Sequence, residues 1–361
     1  MKHECHARIG SLARPAFTLI ELMVVVAIIA LLMAILLPSL QQARAEVKAV
    51  TCASNLHHIG QAVAIYLNRD KVYPVAYAYV DDRGRVDLSP PVQEFLQSKG
   101  QKRYVHWSYF LYNNGQVSDN AFQCPAFGKG GIPRTNPGPD PADWESGQVD
   151  EMGQTAANPR VDFQAPRMAY TANAAIMPRN KMTTSMSGGS RVNKFANDSA
   201  IKHPGQVIMA TEYNNYWPAI AVNPGSGLLS KSHRPINPFY SYSSGWDEYN
   251  ASDPRGAGRA AFTLGNGGPD HNYGLYPLQQ VLTTGGLIED SEINAVGRHH
   301  PGGDKEFGGT ANFLYVDSHV DRKTILDTMK KFEWGSRYYT LSGNALVERP
   351  GPGSAQAASM N

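Results

Sequence analysis

The sequence lacks the short motifs that mark common enzymes and nucleic-acid-binding proteins. Its 361 residues contain no His-Glu-x-x-His, no Gly-x-Ser-x-Gly, no phosphate-binding loop and no pair of cysteines at metal-binding spacing. It has no large excess of one charge, because 33 Lys and Arg residues stand against 31 Asp and Glu residues, and no basic run is interleaved with aromatic residues. We therefore expect neither an enzyme nor a nucleic-acid-binding protein.

Glycine and proline are abundant instead, at 34 and 24 residues. This composition favours short strands joined by long loops over a helical bundle. We expect loop insertions at residues 128–148 and 223–270. We also expect a disordered tail at residues 346–361, where apolar residues are few.

Three segments of the C-terminal half carry clear local signals. Residues 206–213 form a short apolar run after a Pro-Gly pair and predict a strand. Residues 311–322 predict two strands joined by a turn at Asp317 and Ser318, because an aspartate side chain can bond its own backbone. Residues 324–334 predict a helix with Thr324 as its N-cap.

One long hydrophobic run is present, at residues 17–37. It contains 21 residues, of which Glu21 is the only ionisable one. A helix of this length spans about 31 Å, close to the thickness of the hydrocarbon core of a bilayer. The preceding charged residues are mostly basic, which predicts a single-pass inner-membrane protein with a cytoplasmic N-terminus and a periplasmic C-terminal domain. They are Lys2, Glu4, Arg8 and Arg14.

The helix is expected to continue beyond Pro38, which would kink it rather than end it. Apolar residues recur at alternating spacings of four and three from Ala45 to Tyr66, and they form one seam on an otherwise polar helix. We therefore predict a helix over residues 17–68 whose second half packs against a globular domain. A signal peptide cleaved after Ala45 is the alternative interpretation, but it leaves the acidic residue of the run unexplained.

Glu21 places a carboxylate about one turn into the hydrophobic run. A charge at the centre of a membrane span costs about 2.5–3.5 kcal/mol, and less near its end. The residue is either an interfacial glutamate that complements the helix dipole or the partner of a positive charge. If the chain were cut before Phe17, the new amino group of one subunit could pair with Glu21 of its neighbour.

The string AFTLIELMVVVAIIALLMAILLPSL, at residues 16–40, closely resembles the N-terminus of type IV prepilins and of type II secretion pseudopilins. The resemblance implies a leader peptide at residues 1–16 and a cut between Ala16 and Phe17 by prepilin peptidase. The same enzyme would methylate the new N-terminus, and Glu21 would be the fifth mature residue. The family usually has glycine before the cut, where this chain has alanine.

A second resemblance lies near the C-terminus. Residues 298–320 resemble the His-x9-Asp-Gly motif of a bacterial subfamily of prepilin-like proteins. The match is imperfect, because sixteen residues separate His300 from Asp317 and Ser318 replaces the glycine. The candidate residues of this C-terminal motif are Arg298, His299, His300, Asp317 and His319.

The chain has three cysteines, and Cys5 would leave with the leader. Cys52 and Cys124 lie in segments that also resemble the subfamily, and in a compartment that permits disulfides. A disulfide between them is our hypothesis. Two half-buried free thiols are the alternative, because Cys52 also fits the apolar seam.

We expect no cofactor, and the identity of any metal stays open. Zinc could be held by histidine and carboxylate ligands across a hairpin, namely His299, His300, Asp317 and His319. The alternative is that these residues make structural hydrogen bonds. Some pseudopilins hold calcium in a C-terminal loop, and the oxygen ligands available here are Asp304, Glu306, Asp317 and Asp321.

Together these features predict an α+β, pilin-like fold, in which a long N-terminal helix packs on an antiparallel β-sheet with long loops and the domain covers residues 69–345. They favour a structural subunit of a type II secretion pseudopilus or type IV pilus-like filament. Its partners would be prepilin peptidase, other pilin or pseudopilin subunits in a homo-oligomeric filament, and an inner-membrane assembly platform. After assembly, the protein would reach the filament or the cell surface. The alternative is a membrane-tethered module that binds a secreted substrate or a surface glycan and does not polymerise.

Overall fold

The computed structural model describes residues 18–79, 104–155, 160–177, 195–236, 239–241, 259–262, 275–283, 292–331, 333–335, 339, 346–351 and 354–357. The chain divides into two compact units, Met1–Arg44 and Ala45–Asn361. In its described part, the first unit is the apolar beginning of one long helix. The second unit holds the remainder of that helix and all of the described strands.

The long helix α1 (Leu19–Asp70) is continuous, and Pro38 lies inside it. Its residues from Leu19 to Arg44 are all exposed, which fits a segment that is apolar on every face. Further along, one face is buried at the predicted spacing of three and four residues, so the predicted seam is confirmed. The buried members of the seam are Ala49, Cys52, Leu56, Ile59, Val63 and Tyr66.

The strands are short, as the glycine and proline content predicts, and the longest has eight residues. In chain order they are β1 (Tyr77–Tyr79), β2 (Tyr104–His106), β3 (Ile132–Pro133), β4 (Gln148–Val149), β5 (Arg167–Met168), β6 (Tyr170–Ala172), β7 (Ile208–Glu212), β8 (Ala221–Val222), β9 (Leu228–Ser230), β10 (Phe239–Ser241), β11 (Arg259–Phe262), β12 (His300–Asp304), β13 (Gly308–Tyr315), β14 (Val320–Lys323), β15 (Leu346–Gly351) and β16 (Ser354–Ala357).

The remaining helices are also short. Among the described residues, the α-helices after α1 are α2 (Trp107–Tyr112), α3 (Leu278–Thr283) and α4 (Ile325–Lys330). Single turns of 3-10 helix connect other segments, at Asp119–Phe122, Pro141–Asp143, Asp198–Ala200, Pro204–Gln206, Trp217–Ile220 and Glu292–Ala295.

The centre of the second unit is a five-stranded antiparallel sheet in the order β12, β13, β7, β6, with β14 also paired to β13. All five residues of β7 are buried, so this strand lies in the core. Phe313 of β13 pairs with Thr211 of β7, and Thr211 pairs in turn with Thr171 of β6. The sheet confirms the predicted α+β class and the predicted strand within residues 206–213.

The hairpin of β13 and β14 turns at Asp317 and Ser318, as predicted. Ser318 has a positive φ of 73°, and the Asp317 carboxylate accepts a hydrogen bond from the His319 backbone N–H at 3.1 Å. Thr324 caps α4 by accepting a hydrogen bond from the Asp327 N–H at 3.2 Å. The helix ends at Lys330, before the predicted residue 334, and the Trp334 indole instead turns back to donate a hydrogen bond to the Thr328 hydroxyl at 2.9 Å.

The described residues also form four smaller sheets, and some of their strands lie within the predicted loops and tail. The pairs are β1 with β2 and β3 with β5, and the larger groups are β4–β9–β8 and β10–β11–β15–β16. The expected insertions at 128–148 and 223–270 therefore contain short strands. Within the expected disordered tail, the described strands β15 and β16 pair antiparallel instead.

The second half of α1 lies against the central sheet through specific hydrogen bonds as well as the apolar seam. The Ala49 carbonyl accepts a hydrogen bond from the Asn312 side chain of β13 at 3.0 Å, and the Cys52 carbonyl accepts one from the Tyr170 hydroxyl of β6 at 3.1 Å. Near the hairpin turn, a ring nitrogen of His57 lies 2.9 Å from the Ser318 carbonyl. These contacts fix both the height and the rotation of the helix on the sheet.

We predict that Gly60→Leu destabilises the protein by about 1–3 kcal/mol through overpacking. Gly60 is the point of close approach between α1 and the sheet, and a Cβ atom there would lie 2.8 Å from Leu314 Cδ1 and 3.3 Å from Ser318 Cβ. The measurement is urea unfolding of the full chain in detergent, followed by tryptophan fluorescence. The matched control is Ser54→Leu at an exposed position of the same helix, and equal effects of the two variants would contradict the close approach.

Candidate functional site

The N-terminal site begins with residues that the sequence singles out for processing. Ala16 and Phe17 lie outside the described residues, so their prediction stays a prediction. Glu21 is described, in the first turn of α1. Its carboxylate accepts hydrogen bonds from the Thr18 backbone N–H at 2.9 Å and from the Thr18 hydroxyl at 2.8 Å, and the Glu21 N–H reaches the Thr18 hydroxyl at 3.2 Å. This reciprocal capping box fixes the start of the helix and holds the exposed carboxylate beside it.

The apolar part of α1 follows directly. Within the described residues, α1 is the one helix that is long and apolar enough to cross a membrane by length and composition, and none of its apolar window is buried. Every large apolar side chain from Leu19 to Leu37 is exposed. A helix that is apolar on all faces and buries none of them requires lipid or other apolar helices as its surroundings.

Residues 13–37 match the protein family described as the prokaryotic N-terminal methylation motif. The match contains the predicted cut after Ala16, the residue Phe17 and the carboxylate of Glu21. It supports a type IV pilin-like precursor that prepilin peptidase processes, with a membrane-anchoring helix. No curated protein and no solved structure matches the chain.

The two cysteines that the sequence retains after the leader lie side by side in the second unit. Cys52 on α1 and Cys124 in the loop after a 3-10 turn form a disulfide, with their Cα atoms 5.1 Å apart. Neither residue is exposed. The bond ties the long helix to a loop that is 72 residues away in sequence, so it joins two parts of the domain core.

A buried carboxylate lies next to this disulfide. Glu212, at the end of β7, is fully buried, and its Oε1 atom lies 2.9 Å from His300 Nε2. Its other oxygen accepts a hydrogen bond from the Asn312 backbone N–H at 2.9 Å, and the Asn312 side chain donates to Oε1 at 3.0 Å. Burial alone would raise the pKa of Glu212, but the His300 hydrogen bond, nearby histidine charge and the Asn312 N–H hold it below its usual value.

His299 is the least satisfied polar side chain near this carboxylate. Its ring packs edge-on against Phe127, with centroids 5.1 Å apart, and lies 4.4 Å from the His300 ring. Both of its ring nitrogens are buried and have no hydrogen-bond partner among the described residues. Burial lowers the pKa of His299 to about 4, so the ring is neutral at pH 7.

Arg298 serves a different part of the domain. Its guanidinium donates hydrogen bonds to the Tyr276 carbonyl and to the Asn294 side chain, both at 2.6 Å. Burial lowers the pKa of Arg298 to about 10, against the opposing charge of Asp304, so the group stays cationic at neutral pH. Arg298 therefore links Tyr276 and Asn294 to the segment that leads into β12.

The other half of the C-terminal motif lies at the exposed hairpin turn. Asp317 and His319 are 2.5 Å apart at their closest side-chain atoms, and the His319 ring stacks on Tyr315 with centroids 4.1 Å apart. His300, in contrast, pairs with Thr310 near the beginning of β13. The motif is thus divided between a buried half and a surface half, at the two ends of one strand.

This division corrects both sequence-based metal hypotheses. The strand β13 has eight residues and spans about 25 Å, and it separates His299 and His300 from Asp317 and His319. The candidate calcium ligands are divided in the same way, since Asp304 and Glu306 flank the β12–β13 turn while Asp317 lies at the β13–β14 turn and Asp321 on β14. Among the described residues, neither set forms a cluster of potential ligand atoms.

Three residues of this buried site are not marked by any sequence motif: Glu212, Asn312 and Tyr170. The signal for Glu212 was present, because a glutamate at the end of an otherwise apolar strand is either buried with partners or turned to solvent. Its partners were not readable, because His300 and Asn312 lie 88 and 100 residues further along the chain.

We predict that Glu212→Gln destabilises the domain by about 1–3 kcal/mol, because the buried donors of His300 and Asn312 lose a carboxylate acceptor and one of them is left unsatisfied. The measurement is urea unfolding of the full chain. Glu46→Gln is the matched control, since Glu46 pairs with Arg322 at 2.6 Å on the partly exposed surface and is worth less than about 1 kcal/mol. Equal losses in the two variants would contradict the role of Glu212 as a buried hydrogen-bond acceptor.

Proposed function

We propose that this protein is a structural subunit of a pilus-like filament, either a type II secretion pseudopilus or a type IV pilus-like fibre, and that it is not an enzyme. The observation that carries the proposal is the methylation motif at residues 13–37 with Glu21 in the first turn of a wholly exposed apolar helix. The helix would anchor the precursor in the inner membrane and later form the filament core with the helices of other subunits.

Packing of apolar helices supports this use of α1. The side chains from Leu19 to Leu37 are exposed and apolar. Lipid tails and the apolar helices of other subunits offer them similarly apolar surroundings. Transfer from the membrane into a helical bundle therefore carries little cost for the apolar surface. The polar groups decide the register, because an unpaired charge at membrane depth costs about 2.5–3.5 kcal/mol.

Glu21 supplies one of those polar groups. A cut between Ala16 and Phe17 would create an amino group four residues before the carboxylate, at a similar depth. The Thr18 N–H and hydroxyl both donate hydrogen bonds to the Glu21 carboxylate. These bonds hold the Glu21 side chain at the N-terminal end of the helix. Pairing the Glu21 carboxylate of one subunit with the amino group of its neighbour would remove two unpaired charges at once.

The disulfide supports an extracytoplasmic position for the second unit. Structural disulfides persist in oxidising compartments and are rare in the cytosol. The Cys52–Cys124 bond lies C-terminal to the apolar helix segment, so the domain from Ala45 would face the periplasm and the N-terminus the cytoplasm. The basic residues before the helix favour the same orientation.

A tethered binding module is the second candidate, and the size of the domain favours it. The second unit runs from Ala45 to Asn361 and includes several small sheets around the central one. Such surface would suit recognition of a secreted substrate or a glycan. Both candidates use the same leader and anchor, and they differ in whether the subunits polymerise.

The first test concerns processing. We predict that the protein purified from native membranes begins at N-methylated Phe17, as measured by intact mass and N-terminal sequencing. A chain that begins at Glu46 would mean a cleaved signal peptide, and an intact Met1 would mean an unprocessed signal anchor. Either result would overturn both the filament subunit and the prepilin-type tether.

The second test concerns assembly. We predict that Glu21→Gln leaves cleavage at Phe17 intact but lowers the amount of protein in sheared filament fractions at least about tenfold, since the new amino group loses its partner. Glu46→Gln, beyond the apolar segment, should assemble normally. If the wild-type chain is processed but never enters filaments or cross-linked oligomers, the tethered module is the correct function.

A further inference from the structure

The disulfide and the buried carboxylate form one compact cluster of ligand atoms. The sulfur atoms of Cys52 and Cys124, a carboxylate oxygen of Glu212 and a ring nitrogen of His300 all lie within 4.8 Å of one another. All four residues are buried. They come from helix α1, the loop at Cys124, strand β7 and strand β12, so the folded domain itself brings them together.

We propose that this cluster is a zinc site in the dithiol state of the protein, and that formation of the Cys52–Cys124 disulfide excludes the metal. The geometry points to four ligands: two thiolate sulfurs, the His300 imidazole and the Glu212 carboxylate. Zinc prefers four such ligands in a tetrahedral arrangement, at about 2.0–2.3 Å from the ion. Ligand atoms that already lie within 4.8 Å of one another need only small shifts to reach that arrangement once the sulfurs separate.

A second observation points to a ligand at this place. His299 is buried against the His300 ring, and both of its nitrogens lack a hydrogen bond among the described residues. An unsatisfied buried polar group destabilises the folded state. The disulfide form leaves His299 without a hydrogen-bond partner within the described chain.

The second coordination sphere is also in place. The Asn312 backbone N–H and side chain both donate to the Glu212 carboxylate, at 2.9 and 3.0 Å. The Asn312 side chain is itself anchored at the Ala49 carbonyl, at 3.0 Å. Such outer hydrogen bonds orient ligating carboxylates in metal sites and keep them from rotating away.

The two states exclude each other because they use the same sulfur atoms. The chain is synthesised with both thiols free, and binding of Zn²⁺ to the pair releases two protons. Oxidation then transfers two electrons from the dithiolate to an external disulfide, which takes up two protons and leaves as a dithiol. The Cys52–Cys124 bond forms, and zinc loses two of its four ligands and is released. Zinc would thereby hold α1 in register before the covalent bond replaces it.

The test uses the full chain in detergent, unfolded with a phosphine reductant and refolded without oxygen in the presence of Zn²⁺ or Co²⁺. We expect one zinc per chain by elemental analysis after dialysis, and thiolate-to-cobalt charge-transfer bands in the cobalt form. Oxidation with a small disulfide should release the metal. The oxidised chain, unfolded and refolded with the metal but without reductant, should retain none.

Variants separate this cluster from surface binding. His300→Ala and Cys124→Ser should each lower the zinc affinity at least about tenfold, whereas His319→Ala, at the exposed hairpin turn, should bind as the wild type does. Near-ultraviolet circular dichroism of the wild-type chain and of each variant reports whether it is folded.

Three results would overturn the proposal. The reduced chain could fold and yet retain no zinc after dialysis, or folded His300→Ala could bind zinc as the wild type does. Zinc could also fail to fold the reduced wild-type chain. None of these readouts depends on filament assembly, so a failure of the proposed function would be recognised separately.

Discussion

The central sheet and the second half of α1 are connected through the buried carboxylate of Glu212 and the hydrogen bonds that it accepts. A fully buried carboxylate is tolerated only with hydrogen-bonding partners, and this one receives them from His300 and Asn312. His300 comes from β12 and Asn312 from β13, so the pairing of β12 with β13 and of β13 with β7 determines whether the carboxylate has its hydrogen-bond partners. Asn312 extends the network to the Ala49 carbonyl, and the position of α1 thereby depends on the same carboxylate.

The two halves of α1 place opposite demands on their surroundings. From Ala49 to Tyr66, the helix buries one seam and meets the sheet so closely that Gly60 has no room for a side chain. From Leu19 to Leu37, it exposes apolar side chains on every face. The second half belongs to a folded domain, whereas the first has to be stabilised by lipid or by other helices. Under the proposed function, the first half of α1 would exchange lipid for the helices of other subunits while the domain stays folded.

Features with local causes could be predicted from the sequence, and features with distant causes could not. The helical seam, the turn at Asp317 and the Thr324 cap depend on residues within a few positions, and the structure has them as predicted. The environment of Glu212 depends on pairing across 88 residues or more, which periodicity does not encode. The candidate metal ligands of the C-terminal motif lie apart for the converse reason, since His300 and Asp317 are close in sequence but an eight-residue strand separates them.

The contacts between α1 and the domain are concentrated on successive turns of one helix face. The Ala49 carbonyl is bonded to Asn312, Cys52 is bonded covalently to Cys124, and the Asn55 side chain donates to the Gln123 carbonyl at 2.9 Å. Positions three residues apart are neighbours on a helix surface, so these bonds form a short oblique row around α1. In a filament, a pull on the helix core would enter the domain through this row. A covalent bond flanked by buried hydrogen bonds resists such a pull where exposed ion pairs, worth less than about 1 kcal/mol, would not.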